Sequence, residues 1–338
     1  MQPFEYVSPP TLQVATGLLG TSWGQTEILA GGTDLLALMK DDIVTPTRLV
    51  NIKKFAGLSE IAVDAQGLHI GALVTLDRLA KDDAVQRQYP VLATALADAA
   101  SPQIRNMATL GGNLCQRPRC WYFRNGFGLL ATDAAGQSLV RGGNNRYHAV
   151  LGNTGTALFV SPSTIAPVLI ALGASVTIQG PAGERTATLE RFYRTPQSAA
   201  EREHDLQPQE IVTHVLVPPA GASAATYYEV RQKHAFDWPV ATATVVLALS
   251  NGKVDRASVV LGHVAPTPWR ASEAEAALRG QTINAAVAEA ASRAAMSTAR
   301  SLGQNGYKIT VARVCVKRAI LGAAGFDVPP PHPSGATA

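Results

Sequence analysis

The sequence is poor in the features that mark several large protein classes. It has three cysteines, Cys115, Cys120 and Cys315, a small odd number that gives no disulfide framework. Its seven histidines show no metal-ligand spacing: His148, His204, His214, His234 and His263 stand isolated, as packed or solvated histidines do. No local signature of a Ser/His/Asp or Cys/His catalytic group is present. Charge is thin. Asp, Glu, Lys and Arg make up 16% of the chain, and the net charge of +4 is never gathered into a basic run. With no nucleic-acid motif either, a nucleic-acid partner is not expected. No uninterrupted apolar stretch reaches about 18 residues, so no membrane span is expected. Met1-Gln2-Pro3-Phe4-Glu5-Tyr6 lacks a basic region leading into an apolar one, which reads as no signal peptide and a cytoplasmic location.

What is present suits a large core. Hydrophobic residues are 46% of 338, enough for two or three domains. Only the stretch from Pro329 to Gly335 reads as a tail that cannot pack. Residues 26–55 read strand, loop, helix, strand. Glu27 to Ala30 is short and apolar, Gly31-Gly32 breaks it, Asp34 to Lys40 is helical with Thr33 or Asp34 as N-cap, and Arg48 to Ile52 alternates. Ile61 to Val63 and Leu68 to Ala72 read as strands across a turn, and 77–100 as an Ala-rich helix that Ser101-Pro102 stops. Residues 103–126 are dense in polar side chains and glycine. Residues 164–173 read as a buried helix and 174–188 as a strand pair. A boundary falls near Pro218 to Ser223. Beyond it, Ala224 to Val230, Val240 to Leu249 and Ala257 to His263 read as strands, with an Asn251-Gly252 turn, and 271–300 and 307–323 as helices, an α+β unit.

Two glycine loops stand out. Ala30-Gly31-Gly32-Thr33-Asp34-Leu35 follows a strand and opens a helix, where glycine permits a tight turn and brings bare N–H groups to an anion. Thr109-Leu110-Gly111-Gly112-Asn113 repeats these ingredients about 80 residues later. Neither is a G-x-G-x-x-G or G-x-x-x-x-G-K-[ST] signature. Each alone reads equally as a plain turn; together they suit a clamp on one diphosphate from both sides.

The wider segments resemble a known family. Ile28-Leu29-Ala30-Gly31-Gly32-Thr33-Asp34-Leu35 resembles the first FAD pyrophosphate loop of the xanthine dehydrogenase and carbon monoxide dehydrogenase flavoproteins. The stretch from Gln103 through Ile104-Arg105-Asn106 to Leu114 resembles the second. Phe236 to Ala241 and Gly262 to Ala271 are similar to parts of that family's C-terminal domain. Cys115 to Arg124 and Arg146 to Gly152 narrow the likeness to flavin subunits of the bacterial periplasmic aldehyde oxidoreductase type. The resemblance implies an α+β fold. An FAD-binding domain of the vanillyl-alcohol-oxidase (PCMH) type covers 1–220, in subdomains of about 1–57 and 58–220. A small α+β C-terminal domain covers 224–328, and a flexible tail 329–338. It implies FAD as cofactor. Electrons would arrive from a small [2Fe-2S] subunit supplied by a large molybdenum-cofactor subunit and leave to an external acceptor. A periplasmic location would then need a signal on a partner subunit. A free-standing FAD-dependent oxidoreductase and a flavin-free scaffold are the alternatives. The first lacks a convincing catalytic base in this chain, and the second sits badly with two intact loops.

The cofactor-binding set implied is Leu29, Ala30, Gly31, Gly32, Thr33, Asp34, Leu35, Gln103, Arg105, Asn106, Thr109, Gly111, Gly112, Asn113, Thr164 and Lys233, with no catalytic and no metal-binding residue. Gly31, Gly32, Gly111 and Gly112 are read as backbone donors to the pyrophosphate, and Asp34 as a structural cap, since a carboxylate beside a diphosphate is repelled. Gln103 and Arg105 reach the flavin or a partner, and Lys233 approaches the flavin edge, in competition with plain surface roles. Trp121-Tyr122-Phe123 stacks near the cofactor, faces a partner or packs in the core. Two departures from the family appear. Members of the aldehyde oxidoreductase subgroup carry a [4Fe-4S] cluster after the Trp121-Tyr122-Phe123-Arg124 segment, yet Asn125 to Asn145 holds no cysteine, so no such cluster is expected here. Thr164 stands where the family often has an acidic residue near the adenosine part of FAD.

Overall fold

A computed structural model describes residues 1–97, 99–233 and 236–330. The readings made for His234 and for the tail from Pro331 onward lie outside the described residues. Three sheets organise the rest. The first is parallel, in the order β1 (Glu5–Val7), β3 (Arg48–Asn51), β2 (Thr26–Leu29). Parallel neighbours need a crossover, and the helices Leu12–Leu18 and Leu35–Lys40 provide it. The second sheet is antiparallel, in the order β4 (Ile61–Asp64), β5 (Gly67–Gly71), β8 (Ile211–Val217), β6 (Ser175–Gly180), β7 (Gly183–Thr188). Its β6 buries alternate residues, Val176 and Ile178 among them, as a sheet with one covered face must. That face packs on the helices Leu76–Lys81, Pro90–Ala97 and Ile165–Ala171 in the largest apolar core. The third sheet, β12 (Trp269–Arg270), β11 (Lys253–Gly262), β10 (Pro239–Ser250), β9 (Ala224–Arg231), is antiparallel and covered by the helices Ser272–Leu278, Ala285–Ala295 and Tyr307–Ala323. Asn251 and Gly252 both take positive φ, 52° and 75°, the geometry of the tight hairpin expected there.

The single helices expected over 77–100 and 271–300 are corrected. The first is three helices, because the Asp82 carboxylate accepts the N–H groups of Ala84 and Val85 and starts a new turn, and Pro90 opens another. Ser101-Pro102 begins a helix, Pro102–Met107, rather than only stopping one. Ser101 Oγ accepts from the Ile104 N–H at 3.3 Å, and proline sits where no N–H is needed. The second is interrupted between Leu278 and Ala285, with Gly280 at φ 73° and Asn284 capping the next helix. The tail reading is corrected at its start: the Tyr228 hydroxyl donates to the Pro329 carbonyl at 3.1 Å.

Residues 145–153 are stitched into the C-terminal unit although they precede it by some 70 residues. The Val150 and Leu151 N–H groups both donate to Val264 O. Asn145 donates to Leu302 O, Asn153 to Arg300 O, and buried Lys308 to the carbonyls of Tyr147 and His263 at 2.9 and 2.8 Å. Beside β5, the turn at Ala56–Ser59 that follows the first sheet packs backbone on backbone. Gly71 lies against Leu58, whose carbonyl accepts from the Leu73 N–H at 2.7 Å, and a Cβ on Gly71 would overlap the Leu58 carbonyl. Gly71→Ala is expected to lower unfolding free energy by about 1–3 kcal/mol, the usual range for an overpacked site. A denaturant titration with a reduced midpoint and an unchanged slope checks this; an unchanged midpoint refutes it.

Candidate functional site

The first glycine loop connects β2 to the helix Leu35–Lys40. Leu29 ends the strand and turns inward onto Met39 and Leu49. Gly32 then adopts φ 73°, the left-handed region that glycine enters without strain. Gly31 touches the second loop: a Cβ there would run into the Met107 carbonyl and lie 3.2 Å from Ala108 Cα. Among the described residues, no hydrogen bond takes up the N–H groups of Gly31, Gly32, Thr33 or Asp34. Consecutive unspent N–H groups around a left-handed residue form a concave anion site.

The second loop is built differently, and the reading of its glycines as donors is corrected. The Gly111 N–H donates to Ala72 O at 2.9 Å and the Gly112 N–H to Thr109 Oγ1 at 3.2 Å; those of Leu110 and Asn113 go to Val74 O and Thr109 O. The short helix Leu110–Leu114, capped by Thr109, and the chain leaving β5 consume them. These glycines serve close approach instead. A Cβ on Gly111 would lie 2.9 Å from Ala72 Cβ, and one on Gly112 3.0 Å from Thr109 Oγ1. Asn113 accepts from Ser163 Oγ at 2.6 Å and so fixes the entry to the helix Ile165–Ala171.

Both loops border one cleft of about 310 Å³. Of the expected residues, Ala30, Gly31, Gly32, Thr33, Asp34, Leu35, Thr109, Gly111, Gly112, Asn113 and Thr164 line it. Leu29 is in the core, Gln103 and Asn106 are exposed on the helix Pro102–Met107, and exposed Lys233 lies off the lining. Arg105 also lies off it, its guanidinium donating to the carbonyls of Ala99 and Ala100. Trp121 and Tyr122 pack with Tyr147 and His148 away from the cleft, and Phe123 lies between the guanidiniums of Arg117 and Arg124, 5.0 and 5.6 Å from its ring.

The cap assigned to Asp34 is also corrected. Its carboxylate makes no hydrogen bond to the helix it precedes. It turns to the segment beyond the second loop, accepting from the Arg117 N–H, Arg119 Nη1 and Arg124 Nη2, each at 2.8 Å. Three donors on one half-buried carboxylate outweigh a single cap bond. Arg119 then reaches over the Trp238 ring at 5.0 Å, and both line the cleft. Burial pulls the Arg119 pKa down, and Asp34 acts against the shift.

Another group was not read from the sequence. Trp23, Glu27, Arg117, Arg202 and His204 line the cleft beside Leu206, Ile211 and Val212. Burial raises the Glu27 carboxyl to about 7 and lowers His204 to about 3, with Arg117 opposing the first shift and reinforcing the second. Cys115 is in the cleft wall, its thiol pushed up to about 12 by burial and so inert as a thiolate. Cys120 Sγ is 3.1 Å from His148 Nε2, and Cys315 is buried in the C-terminal core. Among the described residues, no three His, Cys, Asp or Glu side chains converge as a metal site. The open N–H groups of the first loop, the glycine cradle against Met107 and the adjoining arginine fit the diphosphate of a dinucleotide such as FAD.

Comparison with known proteins agrees with this geometry. Residues 2–220 match the family model described as FAD binding domain in molybdopterin dehydrogenase, and residues 225–323 that of the CO dehydrogenase flavoprotein C-terminal domain. The chain is 35% identical over 300 residues to the aldehyde oxidoreductase FAD-binding subunit PaoB of Escherichia coli, covering 85% of this chain and 88% of that one. It is 27% identical to the carbon monoxide dehydrogenase medium chain of Hydrogenophaga pseudoflava, covering 95% and 96%. Among solved structures it is similar to carbon monoxide dehydrogenase from Hydrogenophaga pseudoflava, with a TM-score of 0.75, 28% identity, and 96% and 98% coverage. Quinoline 2-oxidoreductase from Pseudomonas putida 86 gives a TM-score of 0.74 at 26% identity, with the same coverage.

Asp34→Asn is expected to lower stability by about 2–3 kcal/mol, because it leaves two half-buried guanidiniums facing each other without their anion. It is also expected to weaken retention of bound flavin. Thermal unfolding and the flavin-to-protein absorbance ratio report the two effects, and wild-type values in both would refute the role of the carboxylate. Stability is further expected to fall as pH drops below 6.5. The unfolded chain protonates its histidines there, whereas folded His148, His204 and His263 resist down to about 4, 3 and 3. Glu27 acts the other way between its ordinary 4.5 and about 7, since the folded form holds that proton more tightly. Three groups against one leave a net loss, expected to be steeper than one proton's worth, about 1.4 kcal/mol per pH unit. Unfolding midpoints that stay flat between pH 6.5 and 4.5 would contradict this.

Proposed function

The chain belongs to the family of FAD-binding molybdopterin dehydrogenase subunits, and on that footing we propose that it is the flavin-carrying, electron-transferring subunit of a molybdenum hydroxylase complex. The observation that carries this is the first loop: four consecutive N–H groups without partners among the described residues, curled around Gly32 and pressed against the second loop at Gly31. Bound FAD supplies the chemistry of exchanging single electrons on one side and electron pairs on the other.

The residues of this chain bind and orient. The N–H groups of Gly31 to Asp34 take up diphosphate charge, and Arg119 adds a cation at the cleft wall. Asp34 is neutralised by its three donors, so its charge does not repel the diphosphate. Thr164 lines the cleft, its hydroxyl 3.4 Å from His263 Nε2. Residues 1–57 and 58–220 form the two halves around the cleft, and 224–328 the C-terminal unit. The partners in this reading are a large molybdenum-cofactor subunit, a small [2Fe-2S] subunit and an external electron acceptor, so oxidation of the substrate belongs to the large subunit. No helix among the described residues is long and apolar enough to cross a membrane. A cytoplasmic location, or a periplasmic one through a signal on a partner subunit, is part of the same reading.

The purified chain is expected to carry one FAD, absorbing near about 450 nm as flavoproteins of this family do. It is expected not to oxidise aldehydes or purines until the other two subunits are added. Gly31→Val and Gly32→Val are expected to lose the flavin, the first by collision with Met107 and the second because a β-branched residue resists positive φ. Undiminished flavin in folded samples of both variants would overturn the assignment of the loop.

A further inference from the structure

The cleft lining contains a charged pair to which binding of the diphosphate gives no role. Arg202 Nη2 lies 3.2 Å from Glu27 Oε1, and the two side chains are only 11% and 20% exposed. The Arg202 guanidinium rests over the Trp23 ring at 4.7 Å, Trp23 meets the His204 ring edge-on, and His204 stacks on Phe192. The pair is therefore held in place, and both its members line the cleft. Ile104 and Trp238, which also line the cleft, are each 44% exposed.

We infer that Glu27 and Arg202 read the adenine base of FAD. The inference rests on the cleft holding that cofactor. Adenine presents an amine donor beside a ring-nitrogen acceptor on both of its hydrogen-bonding edges. A carboxyl oxygen beside a guanidinium N–H is the complementary pattern, and Arg202 supplies the donor permanently. The pyrimidine edge of the flavin ring also places an N–H beside acceptors, but that ring must exchange electrons with other proteins. The largely buried Glu27–Arg202 pair suits the half of the cofactor that takes no part in transfer, and the neighbourhood of exposed Trp238 suits the flavin. A pair placed to hydrogen-bond a particular edge rejects an analogue that lacks it, because its own polar groups are then left unpaired.

The test is a titration of flavin-free chain with FAD and with flavin hypoxanthine dinucleotide, in which a carbonyl oxygen replaces the adenine amine. Quenching of flavin fluorescence is the readout. Wild type is expected to prefer FAD by roughly tenfold or more, the discrimination a paired base contact gives. Glu27→Gln is expected to bind FAD more weakly and to bring the ratio toward one, since its amide can donate to the new oxygen. Equal wild-type affinities overturn the inference without any variant, and so does an unchanged ratio in folded Glu27→Gln. In both cases binding of FAD itself survives. Failure of wild type to bind either nucleotide overturns the cofactor reading instead.

Discussion

The arrangement of the site depends on one carboxylate. Asp34 sits at the end of the first glycine loop, and its two oxygens receive an N–H and two guanidiniums from the segment that follows the second loop. The first loop also approaches the second through the backbone of Gly31, which lies against Met107 and Ala108. With Asp34, the wall carrying Arg117, Arg119 and Gln116 is fixed against the loop whose N–H groups are open. The charge balance matters as much as the geometry. An unpaired carboxylate beside a diphosphate would oppose binding, whereas one enclosed by donors contributes order at little electrostatic cost.

The two loops divide the work between them. The first keeps its donors free and is shaped by the positive φ of Gly32. The second spends its donors on the protein and gives the cleft a rigid floor on Ala72. Similar residue types, glycine pairs flanked by threonine, thus produce one binding surface and one scaffold. The difference comes from their neighbours. Gly111 starts a helical turn beside the chain leaving β5, so its N–H finds a carbonyl at once, while the turn at Gly31 and Gly32 faces the cleft.

The sequence made the loops, most of the strands and the buried helix at Ile165–Ala171 legible through interactions between near neighbours, but β1, β8 and β12 were not read, and β8 finds its partners β5 and β6 only across long stretches of chain. It made the Asp34 partners illegible, since they lie 83 to 90 residues away. The Glu27–Arg202 contact spans 175 residues, and nothing local marks either member. The helix boundaries at Asp82 and Ser101 are a different matter. Their signals are local and present, but Asp82 inside an Ala-rich run and Ser101 before Pro102 are each compatible with both an end and a beginning, and only packing decides. Arg105 reads as a ligand candidate from its place in a motif, yet the carbonyls of Ala99 and Ala100 hold its guanidinium.

The segment after the second loop takes its shape from its own hydrogen bonds and packing. Arg124 donates to the carbonyls of Pro118 and Arg117 as well as to Asp34, which closes the turn from 117 to 124 on itself. Phe123 is buried between two guanidiniums, and Trp121 and Tyr122 pack on His148, whose other contacts reach Cys120. Residues 145–153 then hand this packing on to the C-terminal unit through Asn145, Asn153, Asn305 and Lys308. A region rich in arginine and aromatic side chains is thus fixed from both ends by hydrogen bonds to backbone carbonyls. These bonds let the cleft wall hold its geometry.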